Sequence, residues 1–153
     1  MEPKIVTKEE FRVVGLHYYG DNSDNSIPEL WSDFCKREHE MPPAIEPDIW
    51  YGVCWCESED CGGKFNYLAC RAVAKDAPVP SGMREYTVPA HKYAVFTHYG
   101  KLDTLHATYV RIMNEDMKRL GLEFASMFSF ELYDKDFRYG EDDSKMYIYI
   151  PIK

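Results

Sequence analysis

The sequence predicts an α+β domain built as a tandem repeat of two strand–helix–strand–strand units, with antiparallel sheets, two main helices and a central cleft between the halves. Three observations carry this. Two stretches place apolar residues at helical spacing: Ile27, Leu30, Trp31 and Phe34 in the first, and Leu105, Tyr109, Ile112, Met113, Met117 and Leu120 in the second. Each is followed by two segments with the residue types of strands. Residues 77–82, Ala-Pro-Val-Pro-Ser-Gly, form the clearest linker and divide one domain, 1–153, into half-repeats of about 1–76 and 82–153.

The elements follow in order. Residues 4–19 read as a strand, strongest from Val13 to Tyr19. Residues 20–26 are a loop by composition. The first helix begins near Ser26 as N-cap, with Pro28 in its first turn, and Met41-Pro42-Pro43 ends it. Residues 48–56 and 65–73 form a hairpin around a charged, Gly-containing turn over 57–63. Beyond the linker, 84–88 and 91–99 are strands. The second helix covers 102–120, with Gly121 as its stop. Strands at 127–133 and 145–152 flank a charged loop over 134–144. Sparse identities echo the repeat: Tyr19-Gly20 and Tyr99-Gly100 share a spacing with Tyr67 and Tyr147, and the same offset sets Tyr51 against Glu131. Each half alone is too small to bury a core comfortably, so the halves must pack together.

Composition narrows the function. The 153 residues carry a formal charge of −8, and no cluster of Lys and Arg is present, which argues against direct nucleic-acid binding. No apolar run is long enough to span a membrane, and no signal-peptide core follows the N-terminus, so a cytoplasmic location is expected. Five cysteines, an odd number, fit reduced thiols in that compartment. Aromatic residues make up 15%, with 12 tyrosines, each offering a flat apolar face and one hydroxyl.

Glu131 is the first candidate for chemistry. In Phe128-Ser129-Phe130-Glu131-Leu132-Tyr133 the alternation predicts that Phe128, Phe130 and Leu132 pack against a helix while Ser129, Glu131 and Tyr133 look the other way. A carboxylate among aromatics is costly to desolvate unless partnered, and an organic cation is one such partner. On the residues alone, a solvated strand face is the plainer reading. Tyr19, Trp50, Tyr51, Trp55, Tyr67, Tyr99, Tyr133, Tyr147 and Tyr149 are aromatic candidates for stacking and cation–π contact, although core or half-exposed strand roles account for most such residues. Trp50 and Tyr51 are adjacent, so a regular strand admits only one of them to a given wall. Cys54, Cys56 and Cys61 lack a nearby fourth ligand, and no structural metal is expected. His17 and His98 precede the Tyr-Gly pairs as possible bases or as ordinary strand residues. No dinucleotide or phosphate-loop motif occurs, and no cofactor is expected.

Several segments, in order, resemble the GyrI-like domain family. Residues 27–34 (Ile-Pro-Glu-Leu-Trp-Ser-Asp-Phe) are similar to its first helix. Tyr51-Gly52-Val53, Phe65-Asn66-Tyr67 with Val73, residues 88–96, residues 128–133 and residues 146–151 are similar to its strands. The resemblance spans nearly the whole chain. It implies an SHS2-like tandem fold, and a stand-alone member of the effector-binding domains found in AraC- and MerR-type multidrug-sensing activators. It further implies that Glu131 lies in a cleft meeting bulky apolar, often cationic aromatic molecules. Tyr51, Tyr67, Tyr133, Tyr147, Trp55 and Tyr99 are the ligand-wall candidates beside it. Two other roles stay open. One is hydrolysis of cyclopropane-bearing, DNA-alkylating natural products, with Glu131 as general base and Tyr67 or Tyr147 donating to the carbonyl oxygen. The other is a protein partner, since the founding member is linked with protection of DNA gyrase.

Overall fold

The stretch 4–19, expected as one strand, is two. The computed structural model describes residues 2–23, 26–56 and 63–153. In it β1 (Lys4–Lys8) ends before the pair Glu9-Glu10, and β2 (Phe11–Gly20) begins a different place in the sheet. There follow α1 (Ser26–Arg37), β3 (Trp50–Trp55), β4 (Phe65–Val73), β5 (Arg84–Val88), β6 (His91–Tyr99), α2 (Leu105–Arg111), β7 (Phe128–Tyr133) and β8 (Lys145–Pro151). α2 runs on through a π-helical turn, Ile112–Asp116, into a last short helical piece, α3 (Met117–Arg119). Gly121 ends the run at φ +66°, a backbone angle that favours glycine, and the Leu122 amide bonds back to the Met117 carbonyl at 2.9 Å. The expected turn over 57–63 lies, apart from Gly63, outside the described residues. Among the described residues no helix is long and apolar enough to cross a membrane.

All eight strands form one antiparallel sheet in the order β1-β6-β8-β7-β3-β4-β2-β5. The order reads the same from either end when β1 to β4 are exchanged with β5 to β8. β1 therefore lies beside β6, and β5 beside β2, so the leading strand of each half completes the sheet of the other. An approximate two-fold axis falls between β3 and β7. The offset relating the halves is not constant. The pair Lys4–Val95 corresponds to Arg84–Gly15, partners eighty residues apart. Past the helices the offset drops to 79: Gly52–Ala69 corresponds to Glu131–Ile148. Gly52, not Tyr51, is thus the counterpart of Glu131, and Met146, not Tyr147, that of Tyr67. Because side chains alternate, one residue of slip moves a residue to the opposite face.

The two faces bury different things. On one, Val13, Tyr51, Val53, Trp55, Leu68, Tyr93, Phe128, Phe130 and Leu132 form the largest core cluster. Phe11 of β2 and Phe130 of β7 meet there with ring centroids 5.5 Å apart. Three strand spacings, about 14 Å when flat, separate those strands, so the sheet must curl with this face inward. The other, convex face carries the helices: α1 over Tyr67 and Ala69, and α2 over Phe96, Ile148 and Ile150. The alternation expected in β7 is present, but its faces are exchanged. Phe128, Phe130 and Leu132 fill the helix-free concave core, and Glu131 and Tyr133 look toward the helices.

Candidate functional site

Glu131 occupies the middle of β7, one of the two central strands, and projects beneath the place where both helices approach the sheet. It is 6% exposed. Its Oε1 accepts from the Tyr67 hydroxyl at 2.8 Å and the Tyr133 hydroxyl at 2.7 Å, and its Oε2 accepts from the Tyr109 hydroxyl at 2.6 Å. The Tyr67 oxygen in turn accepts from Trp31 Nε1 at 3.1 Å. One carboxylate so gathers side chains from β4, β7, α1 and α2.

Strand register and helical stripe explain the convergence. Tyr133 is two residues beyond Glu131 and shares its face. Tyr67 pairs with Cys54, two residues along β3 from the Gly52 that faces Glu131. Trp31 and Tyr109 belong to the apolar stripes that seat the helices on the sheet, where each adds a polar atom to an otherwise apolar surface. Gly52 leaves the space they need: a Cβ there would stand 2.8 Å from Glu131 Oε1 and closer still to the Tyr67 hydroxyl. A strand-interior glycine marks close approach of just this kind.

Burial, and then the negative charge of Glu131, hold the hydroxyls of Tyr67, Tyr109 and Tyr133 protonated well above the ordinary tyrosine range. All three are therefore neutral donors. Cys54, on the same face of β3, is pushed up to about 12 by burial first and by Glu131 second. Among the described residues no Lys, Arg or His forms an ion pair with Glu131. The carboxylate is hydrogen-bonded but carries an uncompensated charge, an arrangement favourable to a cation. Trp31 and Tyr133 meet edge-to-face at 5.4 Å, and Phe137 adds a third ring 4.8 Å from Tyr133, so the surroundings are aromatic.

Of the seven ligand-site candidates named from sequence, Glu131, Tyr67 and Tyr133 come together. The other four do not. Tyr51 points into the concave core, packs on Phe11 and Phe130, and donates to Glu46 Oε1 at 2.8 Å. Tyr147 is on that same face and donates to Asp136 Oδ2 at 2.9 Å, so the sheet separates it from Glu131. Trp55 is stacked on Tyr86 at 4.3 Å, again on the concave side. Tyr99 is largely exposed, beside Lys145. Of the adjacent pair, Trp50 rather than Tyr51 is on the helix-bearing face.

Sequence reasoning passed over Trp31, Tyr109 and Gly52; the signal available was a Trp and a Tyr in helical stripes where Leu would serve packing equally. His98 is buried and ties β6 to the start of the second helix through Thr108 Oγ1 at 2.7 Å and the Lys101 carbonyl at 2.9 Å. His17 lies on the concave side, 2.8 Å from Asn66 Oδ1. Cys35, Cys54 and Cys70 are free thiols, but Cys56 is disulfide-bonded, against the expectation of reduced thiols throughout. Cys61 lies outside the described residues.

The family model of the GyrI-like small molecule binding domain matches residues 1–153. The transcriptional regulator BrlR of Pseudomonas aeruginosa is 38% identical over 153 residues, covering 99% of this chain and 56% of BrlR. The chain thus spans little more than half the length of that curated relative. Among solved structures, SAV2435 bound to tetraphenylphosphonium aligns with a TM-score of 0.72 at 17% identity, over 100% of this chain and 94% of that one. EcmrR in its complex with DNA aligns at 0.75 and 15% identity, over 99% of this chain and 57% of that one. At these identities the two structures share the fold. By the family match along its whole length, the chain belongs to the GyrI-like small-molecule-binding domains.

Proposed function

We propose that this domain takes up bulky aromatic cations at Glu131, acting as a sensor or sequestering module. The observation that carries this is the buried carboxylate held by three neutral hydroxyls with no positive partner among the described residues. A delocalised cation would supply the missing charge, and Trp31, Tyr67, Tyr109 and Tyr133 would supply faces for stacking and cation–π contact. The binding of tetraphenylphosphonium by a protein of this fold, SAV2435, supports the same ligand class.

Glu131 is covered in the conformation described, so a ligand must displace something. Tyr109 is the group to move. It is the one hydroxyl partner on α2, whereas Tyr67 and Tyr133 are fixed in the sheet. The π-helical turn directly after α2 breaks the regular hydrogen-bond ladder there, and such turns frequently accompany functional sites.

Trp31 touches the Tyr67–Glu131 pair, so its fluorescence reports on the site. Titration with tetraphenylphosphonium should give a saturable change, and Glu131→Gln should weaken binding by about 1–3 kcal/mol, the scale of a lost charge-assisted contact. An unchanged affinity would remove Glu131 from the site. The same protein incubated with a cyclopropane-bearing alkylator and followed by mass tests the hydrolytic reading. Catalytic gain of one water, abolished by Glu131→Gln, would make Glu131 a general base with Tyr67 as its neighbour donor; an intact alkylator leaves a binding module.

A further inference from the structure

His98 lies on β6, shares the helix-bearing face with Phe96, and is 1% exposed. A buried imidazole must satisfy two ring nitrogens. Nε2 is 2.9 Å from the Lys101 carbonyl, which can only accept, so Nε2 carries the hydrogen. Nδ1 of the neutral ring is then an acceptor, and its partner at 2.7 Å is Thr108 Oγ1. The Thr108 hydroxyl therefore donates to the ring. A threonine inside a helix more often turns its hydroxyl to the carbonyl four residues back, but that of Thr104 is 3.5 Å away, at the limit of a hydrogen bond.

Thr108 matters because of its neighbour. It is 8% exposed on α2, and the next residue, Tyr109, donates to Glu131 at 2.6 Å. Two consecutive residues of one helical turn are thus each tied down, one to β6 and one to β7, with β8 between those strands. A buried hydroxyl is costly unless it is bonded, so for packing alone a valine would serve in place of Thr108. The first half of the chain shows the contrast. Lys4–Val95 corresponds to Arg84–Gly15, so His98 corresponds to Tyr18. The Tyr18 hydroxyl accepts from the Asn22 amide at 2.8 Å, in the loop before α1. Both residues anchor the approach to a helix, and the ring of His98, with its second nitrogen, also reaches the helix itself. On the far side of Tyr109 the helix widens into its π-helical turn, so the bond to His98 fixes this turn from its N-terminal side.

We propose that His98 is a positioning residue of the Glu131 site: through Thr108 it holds the turn of α2 that carries Tyr109 against the carboxylate, and a ligand that displaces Tyr109 works against this clasp. The proposal rests on the reading of Glu131 as the seat of an aromatic cation. Drawing the Tyr109 hydroxyl off Glu131 shifts Thr108 with it, because adjacent residues of one helical turn are joined through a stiff backbone, and the 2.7 Å bond to His98 lengthens. The clasp thereby favours the covered arrangement of Glu131 and lowers the apparent affinity of any ligand that must open it.

Titration of Trp31 fluorescence with tetraphenylphosphonium tests this. Thr108→Val, which keeps the shape and removes the donor, should bind at least about threefold more tightly than wild type. Thr108→Ser should restore the wild-type affinity, and in a Tyr109→Phe background Thr108→Val should add nothing. His98→Gln, whose amide offers one donor and one acceptor, should resemble wild type, whereas His98→Leu should resemble Thr108→Val. A clasp that only stabilised the fold would lower the urea midpoint and leave affinity where it was. In the wild type, the Nδ1 NMR signal of His98 should shift as the site saturates. Unchanged affinity in Thr108→Val and His98→Leu, the same gain with and without the Tyr109 hydroxyl, or an unmoved His98 signal at saturation would each overturn the proposal. If the wild type does not bind tetraphenylphosphonium, the reading of Glu131 fails instead, and the clasp is judged without ligand: the ζ-carbon NMR signal of Tyr109 should shift in Thr108→Val and return in Thr108→Ser, and a signal unmoved in both would sink the clasp as well.

Discussion

Replacing Gly52 with Ala is the sharpest structural perturbation of the site. The added methyl would stand 2.8 Å from both Glu131 Oε1 and the Tyr67 ring carbon that bears the hydroxyl, and closer still to that hydroxyl oxygen. Carbon and oxygen do not tolerate such approach, so Tyr67 must swing away. It cannot do so and keep its 2.8 Å bond to Glu131 and its 3.1 Å bond from Trp31. Overpacking a well-filled interior costs about 1–3 kcal/mol. Losing a hydrogen bond to a buried charged group costs about 1.5–3 kcal/mol more. The expected destabilisation is therefore about 3–5 kcal/mol, or a fall in Tm on the order of 10 °C for a chain of this length. Urea unfolding measures it, with an unchanged slope showing that the unfolded state is not the cause. Tyr67→Phe removes the nearest clashing atom, so the double variant should be more stable than additivity predicts, by at least about 1 kcal/mol. A cost below about 1 kcal/mol for Gly52→Ala, or strictly additive effects, would refute the packing described around Glu131.

Two further outcomes follow from the same geometry. Tyr109→Phe removes the one hydroxyl that α2 contributes; if ligand entry displaces that bond, tetraphenylphosphonium affinity should rise about tenfold or more, and a weaker affinity would instead make Tyr109 a ligand contact. Tyr67, Tyr109 and Tyr133 hold their protons more tightly folded than unfolded. The stability they supply is full below the unfolded value near pH 10 and declines as pH rises beyond it, by about 1.4 kcal/mol per pH unit for each group. Urea unfolding between pH 8 and 11 should show a plateau and then a steep fall, whereas a flat profile would mean that these hydroxyls are not held protonated by burial beside Glu131.

Much of the architecture was legible because each helix has a clean apolar stripe and each strand a clear alternation. What failed was phase. Alternation in β7 separates Glu131 and Tyr133 from Phe128, Phe130 and Leu132, but it does not say which set meets a helix. Both faces of this sheet are buried, one by helices and one by its own curl, so hydrophobicity does not distinguish them. The repeat was visible through Tyr19-Gly20 and Tyr99-Gly100, and its constant offset misplaced Tyr51 and Tyr147. A single residue lost between the halves after the helices sends both to the concave side. A lone carboxylate among aromatics made Glu131 a candidate, but the residues alone favoured a solvated strand face, and its place in a cleft was implied only by the family resemblance. Trp31 and Tyr109 stayed hidden because in a helical stripe they look like core.

On the proposed function, Glu131 selects its ligand by charge. Tetraphenylphosphonium and tetraphenylborate have nearly the same shape and opposite sign. Calorimetric titration of both into the wild-type domain and into Glu131→Gln tests the claim directly. The wild type should bind the phosphonium and reject the borate, and Glu131→Gln should lose most of that preference. Equal binding of both ions by the wild type, or a preference that survives the substitution, would contradict it.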